Sequence, residues 1–320
     1  MTGHRWSTPI TTRSRVVLEI ASELVGPRDF PFGQAKVLLR PQGPGEWKMA
    51  LFGSSTIAGA EEVVRGEAAL AIVNPVSAVA LAVRGKGIFK EKMPIAAIGV
   101  IPSFDQYAFA VSKRHGLTRF EEIAEKQPPL KLSLRGQSDH WLHPMLDDIC
   151  AAAGFSLADI ERWGGVVRRE GLLPYPDGPK FAALRCREID ALFDEAANVW
   201  VEAAAQSGMT LLPLAESTVA KLEAMGYRRN LLTRGEFPSL TRDLLTMDFS
   251  GWPIVVHREA EDDLVTSFCA ALDARKANIP WQGEGPLPVE RLCRDAPDTP
   301  QDVPIHPAAE KFWREKGYLS

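Results

Sequence analysis

The sequence predicts an α/β fold with mainly parallel sheets that carry helices on both faces. Short apolar runs of strand length alternate with amphipathic segments of helix length along most of the 320 residues. Several helical segments end at a glycine, which favours the left-handed conformation at a helix C-terminus. A unit of helix, short strand, polar junction and helix also occurs twice, at 63–83 and 184–204. These observations indicate repeated βα units.

The elements of the first half follow from caps and breakers. Thr118 and Glu121 form a predicted capping box, and Ser138 or Asp139 is the predicted cap of a later helix. Apolar runs predict strands at 37–40, 69–73, 95–101, 107–111 and 130–134. Helices are predicted at 53–66, from 75 onward, from 118 to before Pro128, and at 138–154.

The second half continues the same alternation. Its last predicted helix is amphipathic, with Leu264, Phe268 and Leu272 on one face. Strands are predicted at 191–193, 209–214 and 254–257. One helix is predicted before the strand at 191–193 and another after it, which ends at Gly208. A further helix is predicted at 217–225 and ends at Gly226.

The composition is that of a soluble globular protein. It has 37 basic and 41 acidic residues, a net charge of -4, and no basic block, so a nucleic-acid partner is not expected. No apolar stretch is long enough to insert into a membrane, and no secretory signal is recognisable. The sequence as it stands therefore predicts a cytoplasmic protein, or a periplasmic one if an export signal has been removed. The four cysteines have no metal-knuckle spacing.

A polar residue follows each repeated strand. Asn74 follows the first, and Glu195 and Asn198 follow the second. Ligands bind at the carboxyl ends of parallel strands, where the next helix directs its free N–H groups. We therefore predict that these three residues line a cleft. The alternative for Asn74 is that it only caps the helix beginning at Pro75.

Three segments resemble one family of transport receptors. "GSSTIAGAEEVVRGEAALAIVNPVSAV", "REIDALFDEAANVW" and "PIHPAAEKFWREKGYL" occur in the order found in TAXI solute receptors of TRAP transporters. This family belongs to the type 2 periplasmic-binding-protein superfamily. The resemblance implies two lobes joined by a hinge, with residues 1–104 and 250–320 in lobe 1 and 105–249 in lobe 2. It also implies a ligand held between the lobes.

The resemblance implies further ligand-binding residues. Ser54 and Ser55 match the first ligand loop of the family, where hydroxyls at a helix N-terminus suit an anion. "LRGQSDHWLH" is the counterpart loop of lobe 2, in which Arg135 grips a carboxylate and Ser138 and His140 face the ligand. Gln106 lies at the first crossing between the lobes and either contacts the ligand or holds the hinge. Simple capping and surface ion pairing are the alternatives for the serines and Arg135.

No metal or cofactor is predicted. His140 and His143 share one side of a helix, but their H-x-x-H spacing alone is weakly specific for a metal. Neither a dinucleotide-binding fingerprint nor a P-loop is present.

Two functions are carried forward. The first is a solute-binding protein that closes two lobes on a small organic anion, a carboxylate or an amino acid, with transporter membrane subunits as its further partner. The second is a cytoplasmic decarboxylase or lyase on the same fold, acting on an aromatic or enol acid. In that case His140 or His143 is the general acid and Arg135 orients the substrate carboxylate.

Overall fold

The computed structural model describes residues 9–25, 34–40, 49–54 and 56–319, and of residues 9–12 only the backbone. Within these ranges the strands are β1 (Ala35–Leu39), β2 (Met49–Gly53), β3 (Leu70–Ile72), β4 (Ile95–Ile101), β5 (Ala108–Ser112), β6 (Lys131–Leu134), β7 (Val166–Arg169), β8 (Ala191–Asp194), β9 (Met209–Leu211), β10 (Arg229–Leu232), β11 (Leu244–Met247) and β12 (Trp252–His257). The α-helices are α1 (Pro9–Val25), α2 (Ala58–Val64), α3 (Val76–Arg84), α4 (Glu122–Lys126), α5 (Leu142–Ala153), α6 (Leu157–Arg162), α7 (Pro179–Arg185), α8 (Ala197–Gln206), α9 (Glu216–Met225), α10 (Asp262–Arg275) and α11 (Pro307–Glu315).

Two five-stranded sheets form the centres of two lobes. The first has the order β1-β2-β3-β12-β4 and the second β7-β6-β8-β5-β9. The chain passes between them twice, after β4 and before β12. The predicted two-lobed α/β fold with its flanking helices is therefore confirmed. The lobe boundaries predicted at 104/105 and 249/250 fall in these two crossings and remain predictions.

The sheets are mixed rather than mainly parallel. β2–β3, β6–β7 and β6–β8 are parallel pairs, but β5 and β12 lie antiparallel to both of their neighbours. Each of these two strands is the first after a crossing, and it enters its sheet from the opposite end. Only strands joined by a helical crossover run parallel here, because a crossover returns the chain to the edge where the strand began.

Several helix starts also differ from the sequence expectation. α2 begins at Ala58 rather than at the Gly53–Ser55 loop, and α5 begins at Leu142 without a side-chain cap. The predicted box at Thr118 is wrong in its partner, because the carboxylate of Glu122 accepts the Thr118 N–H at 2.8 Å. Helices do end where glycine was expected, with left-handed caps at Gly154 and Gly226.

The lobes contact one another along α3 and the loop that follows it. Phe89 of lobe 1 stacks on Trp141 of lobe 2 with ring centroids 5.8 Å apart. The Arg84 guanidinium donates to the Gly226 carbonyl at 3.1 Å. The helices of the described residues include none that is both long and apolar enough to cross a bilayer.

Candidate functional site between the lobes

The strand order brings distant polar residues to one edge of the second sheet. β6 and β8 are parallel neighbours, so the residues after them, Arg135 and Glu195, emerge at the same edge. β5 is antiparallel to β8, with Ala108 opposite Asp194, so the crossing before β5 reaches that edge too. This crossing carries Asp105. Six side chains form what we call the interlobe cluster: Asp105, Arg135, His140, Lys180, Asp194 and Glu195.

Arg135 lies between two carboxylates. Its Nη2 donates to Asp194 Oδ1 at 2.7 Å and also to Glu195 Oε1. The side chains of all three are largely buried, with 12%, 2% and 8% exposed in the order Arg135, Asp194 and Glu195. Burial raises the pKa of Asp194 to about 6, although the guanidinium opposes this. Burial also acts to raise the pKa of Glu195, but Arg135, the Asp105 hydrogen bond and His140 together outweigh it, so the pKa is lowered. Both carboxylates are therefore mainly ionised partners of Arg135 at neutral pH, Glu195 more completely than Asp194.

Asp105 joins the cluster to the N-terminus of α8. Its carboxylate accepts from the backbone N–H groups of Ala196 at 3.0 Å, Ala197 at 3.3 Å and Gln106 at 2.7 Å. It thus satisfies N–H groups that have no partner within the helix. Burial and the neighbouring Glu195 carboxylate raise the pKa of Asp105 well above its ordinary value, despite these bonds.

His140 is a buried neutral side chain. Its ring stacks on Phe249, at 5.9 Å and an interplanar angle of 4°. Nδ1 accepts from the Leu142 N–H at 3.2 Å, and Nε2 lies 3.1 Å from Arg135 Nη1. A neutral imidazole has one acceptor nitrogen, so only one of these two contacts is a hydrogen bond. Burial, together with the Arg135 charge, lowers the pKa of His140 to about 3.

Lys180 was not predicted from the sequence. It lies in the first turn of α7 with 6% of its side chain exposed, and its Nζ is 3.8 Å from Asp194 Oδ2. Burial lowers the pKa of Lys180 to about 8. The spacing along the helix could have indicated its burial. Ala183 and Leu184 lie three and four residues after Lys180, on the same face of α7, and both pack against a hydrophobic core of lobe 2.

The β3–α3 junction of lobe 1 approaches the same place. The Val76 N–H donates to the Ser250 carbonyl at 3.2 Å, and the Asp105 N–H donates to Ser250 Oγ at 3.0 Å. Asn74 Oδ1 and Ser77 Oγ at this junction are buried and have no hydrogen-bond partner among the described residues. Capping of α3 by Asn74 is therefore not observed; Pro75 is the N-cap residue, without a side-chain bond.

Three buried donors of lobe 2 also lack a hydrogen-bond partner in the described part of the chain. Arg135 Nε, Trp141 Nε1 and Lys180 Nζ are buried, and no described atom accepts a hydrogen bond from them. Asp194 Oδ2, 3.8 Å from Lys180 Nζ, is a buried acceptor that likewise has no hydrogen bond to a described residue. Buried polar groups are nearly always hydrogen-bonded, so the unpartnered atoms of Arg135, Lys180 and Asp194 mark the cluster as a candidate binding site.

The side chains of the remaining predicted site residues that the structure describes form no hydrogen bond with a cluster side chain. Gln106 directs its amide to Leu231 O at 3.4 Å and Glu236 Oε2 at 3.1 Å. Ser138 and Asn198 are exposed, and neither bonds to a cluster residue. Asn198 faces outward because α8 begins at Ala197, which makes it the second residue of the helix. Ser54 pairs with Thr56 within its own loop, at 2.9 Å between hydroxyls. Ser55 lies outside the described residues.

His143 does not join His140. Its Nε2 contacts the Gln137 carbonyl at 3.0 Å, at the turn before α5. Among the described residues, no group of three His, Cys, Asp or Glu side chains has an arrangement that could hold a metal ion.

Fold and site together define an architectural class: two-lobed α/β proteins with two chain crossings and a buried ionic cluster where the lobes meet. No protein-family model matches the sequence, and no curated protein matches it either.

Several solved structures match part of this chain at low similarity. A periplasmic transporter has 16% identity and a TM-score of 0.37, covering 82% of this chain and 78% of its own. MatC from Rhodopseudomonas palustris with bound malate has 12% identity and a TM-score of 0.38, covering 82% of each chain. A TctC solute-binding protein from Polaromonas has 12% identity and a TM-score of 0.36, over 68% of this chain and 67% of its own. All three TM-scores are below 0.5, so neither fold nor ligand of this chain follows from them.

Proposed function

We propose that this chain is a solute-binding protein that closes its two lobes on a small organic anion, a carboxylate or an amino acid. The observation that carries this proposal is the pair of buried cations, Arg135 and Lys180, whose Nε and Nζ atoms donate no hydrogen bond to a described residue. Both belong to lobe 2, beside the edge that the crossings enter. A ligand carboxylate would supply the acceptor that these donors need.

The carboxylates of the cluster limit which ligands fit. Arg135 already pairs with Glu195 and Asp194 through Nη2, and its Nη1 lies beside His140. A ligand carboxylate would therefore approach the Nε donor and Lys180 without displacing Glu195. Trp141 Nε1 and Ser77 Oγ are also buried without a hydrogen-bond partner within the described ranges. A ligand whose carboxylate contacts only Arg135 and Lys180 would leave them unsatisfied, so a ligand with a further hydrogen-bonding oxygen fits the site better.

Contacts between the lobes support closure as part of binding. The Phe89–Trp141 stack and the bonds from Arg84 to Gly226 and from Lys86 Nζ to Ala224 O, at 2.9 Å, join lobe 1 to lobe 2. A ligand in contact with both lobes would favour this arrangement over an open one. Ser77 of lobe 1 and Arg135 of lobe 2 are the side chains that such a ligand would bridge.

The alternative of a decarboxylase or lyase gains no support from the histidines. A general acid works best with a pKa near the working pH, but the pKa of His140 is lowered to about 3 and that of His143 is also lowered, chiefly by burial. Both imidazoles are thus mainly neutral at neutral pH and are not the imidazolium that would act as a general acid. We therefore assign His140 a positioning role beside Arg135.

Calorimetric titration tests the proposal. The panel would contain amino acids, dicarboxylates and aromatic carboxylic acids, with the matching amines and alcohols as uncharged or cationic controls. We expect saturable binding of at least one carboxylate, weakened at least tenfold in Arg135→Lys, which keeps the charge but loses the Nε donor. Arg258→Ala, an exposed lobe 1 variant, should bind as the unaltered protein does. Failure of every carboxylate to bind would refute the proposal.

The finer proposal is a TAXI-like receptor that delivers its ligand to transporter membrane subunits in the periplasm. Its support is the order of the three sequence segments and the two-lobed fold. Uptake of the identified ligand into vesicles that contain the membrane subunits should then depend on added protein. Uptake that is equal with and without the protein would reject a transport role while leaving ligand binding intact.

A further inference from the structure

A cavity lies at the end of lobe 2 opposite the interlobe cluster. Its volume is about 260 Å³, and its lining includes Arg114, Arg185 and Arg187 together with the apolar Leu184 and Ile189. Asp190, also in the lining, directly precedes β8, whereas Asp194 of the interlobe cluster ends that strand. At about 3.3 Å per residue the two aspartates are about 13 Å apart along the strand. The cavity is thus separate from the interlobe cluster.

One of these arginines is held in place by a buried carboxylate. Asp190 has 2% of its side chain exposed and accepts from the Arg114 guanidinium. The Lys131 N–H donates to Asp190 Oδ1 at 2.8 Å, and His115 Nε2 lies 3.3 Å from Oδ2. Both oxygens of Asp190 are therefore engaged, and Arg114 is fixed at the rim of the cavity.

The other two arginines have no such partner. The guanidinium groups of Arg185 and Arg187 form neither a hydrogen bond nor an ion pair with any residue in the described part of the chain. Three arginines and one aspartate leave two positive charges that line a single cavity. Both side chains are exposed, so water and salt screen their repulsion, and an anion bound in the cavity would be attracted by the two net positive charges.

Arg187 occupies a backbone position that favours glycine. It follows the last turn of α7 with φ +60°, in the left-handed region, where a side chain is disfavoured. Glycine ends other helices of this chain, as at Gly154 and Gly226. Gln127 and Ala196 also adopt this conformation, at φ +50° and +53°, so the backbone places the Arg187 side chain at the cavity without by itself assigning it a role.

We propose that this cavity binds a divalent oxyanion, the phosphate group of a small phosphorylated molecule. Guanidinium groups recognise phosphate through parallel hydrogen bonds, and two uncompensated charges match the charge of a phosphate monoester. The apolar lining residues Leu184 and Ile189 would contact the carbon part of the ligand. The site is independent of the proposed solute site between the lobes.

Titration calorimetry with inorganic pyrophosphate at low salt tests this site, because the physiological ligand is unidentified. We expect saturable one-to-one binding that weakens with added salt. Arg187→Gly is the decisive variant, since it removes the charge and suits the backbone conformation. Its unfolding temperature should be at least as high as that of the unaltered protein, and it should bind pyrophosphate at least tenfold more weakly. Arg185→Ala, at an exposed side chain, should show the same loss of affinity.

The controls separate this site from the interlobe cluster. Arg258→Ala and Glu195→Gln should both leave pyrophosphate binding unchanged, whatever the outcome of the carboxylate titrations. Binding of succinate as tight as that of pyrophosphate would overturn the assignment to phosphate. Absence of saturable pyrophosphate binding, or equal affinity in folded Arg187→Gly, would overturn the site itself.

Discussion

Arg135 Nη2 lies 2.7 Å from Asp194 Oδ1, and both groups are buried where the two lobes meet. The pair forms because β6 and β8 are parallel neighbours, so that the residues at their carboxyl ends share one edge. Glu195 completes it from the same strand end. Two carboxylates thus depend on one guanidinium for their charge compensation, with Lys180 at 3.8 Å from Asp194 as the other cation.

Removing that guanidinium should destabilise the fold strongly. Arg135→Gln leaves Asp194 and Glu195 buried without their main partner, and breaking a buried pair costs about 3–5 kcal/mol. Urea unfolding at neutral pH measures the loss. Arg135→Gln combined with Glu195→Gln should recover part of it, because one buried charge goes with each partner. A single variant as stable as the unaltered protein would contradict the buried geometry of the pair.

The position of Asp105 predicts that an acceptor matters more than a charge. Asp105→Asn keeps a carbonyl oxygen for the N–H groups at the start of α8, and because the pKa of Asp105 is raised, little is lost with its negative charge. Asp105→Ala removes the acceptor and should cost about 1–2 kcal/mol, which is comparable to the loss of a side-chain N-cap. Thermal or urea unfolding of the two variants should rank Asn well above Ala. The opposite ranking would show that the carboxylate acts through charge.

His140 predicts a specific loss of stability in acid. The unfolded chain binds a proton at His140 near its ordinary pKa of 6.5, but the folded chain does so only near a pKa of about 3. Between these values the unfolded state holds more protons, so stability falls as the pH falls. The contribution from this one group between neutral pH and about pH 4 is about 3 kcal/mol.

The matched variant for that prediction is His140→Gln, which keeps a polar side chain beside Arg135 but does not titrate. Its unfolding free energy should change less between neutral pH and pH 4 than that of the unaltered protein. Parallel pH profiles for the two proteins would show that His140 is not held neutral in the fold.

Much of the fold was predictable because many strands and helix ends depend on short stretches of sequence. Strand runs such as Ile95–Ile101, and glycine stops such as Gly154 and Gly226, match the structure to within a residue or two. The antiparallel direction of β5 and β12 was not predictable, since an apolar run carries no information on which neighbours it joins or from which end it enters the sheet.

The candidate site was only partly predictable for the same reason. Arg135, His140 and Glu195 were predicted as ligand contacts, and the fold brings them together. Sequence patterns contain no distance between Arg135 and Glu195, which are 60 positions apart. Asn198 was predicted as part of the polar junction after the second repeated strand, by analogy with Asn74. The start of α8 at Ala197 turns it outward, a boundary that sequence patterns do not fix.

The Phe89–Trp141 stack should favour the closed arrangement of the lobes over an open one. Phe89→Ala removes an aromatic pair worth about 1 kcal/mol, which is about a fivefold change in an equilibrium between closed and open lobes. We expect a larger radius of gyration by X-ray scattering without ligand, and weaker binding of the ligand once it is identified. Ile88→Ala, at an exposed neighbour, is the control. Identical scattering from Phe89→Ala and the unaltered protein would show that the stack does not hold the lobes together.

Lys180 predicts opposite effects on stability and on binding. Burial lowers the pKa of Lys180 from 10.5 to about 8, so the unfolded chain holds its proton more tightly than the folded chain does. Above the unfolded pKa of 10.5 Lys180 is neutral in both states and does not reduce the free energy of unfolding. As the pH falls from 10.5 through the folded pKa of about 8, the unfolded chain takes up the proton first, and the free energy of unfolding decreases. Lys180→Met should therefore be more stable at neutral pH, by at most about 3 kcal/mol, with the gain disappearing toward the unfolded pKa.

The same variant should bind carboxylates at least tenfold more weakly, because one of the two buried cations is gone. Urea unfolding across this pH range and calorimetry with the identified ligand measure the two effects on one protein, with the exposed Lys90→Met as the matched control. A residue that lowers stability where the ligand is proposed to bind is expected of a binding site rather than of a structural ion pair. A Lys180→Met protein that loses stability and keeps full affinity would instead make Lys180 a structural partner of Asp194.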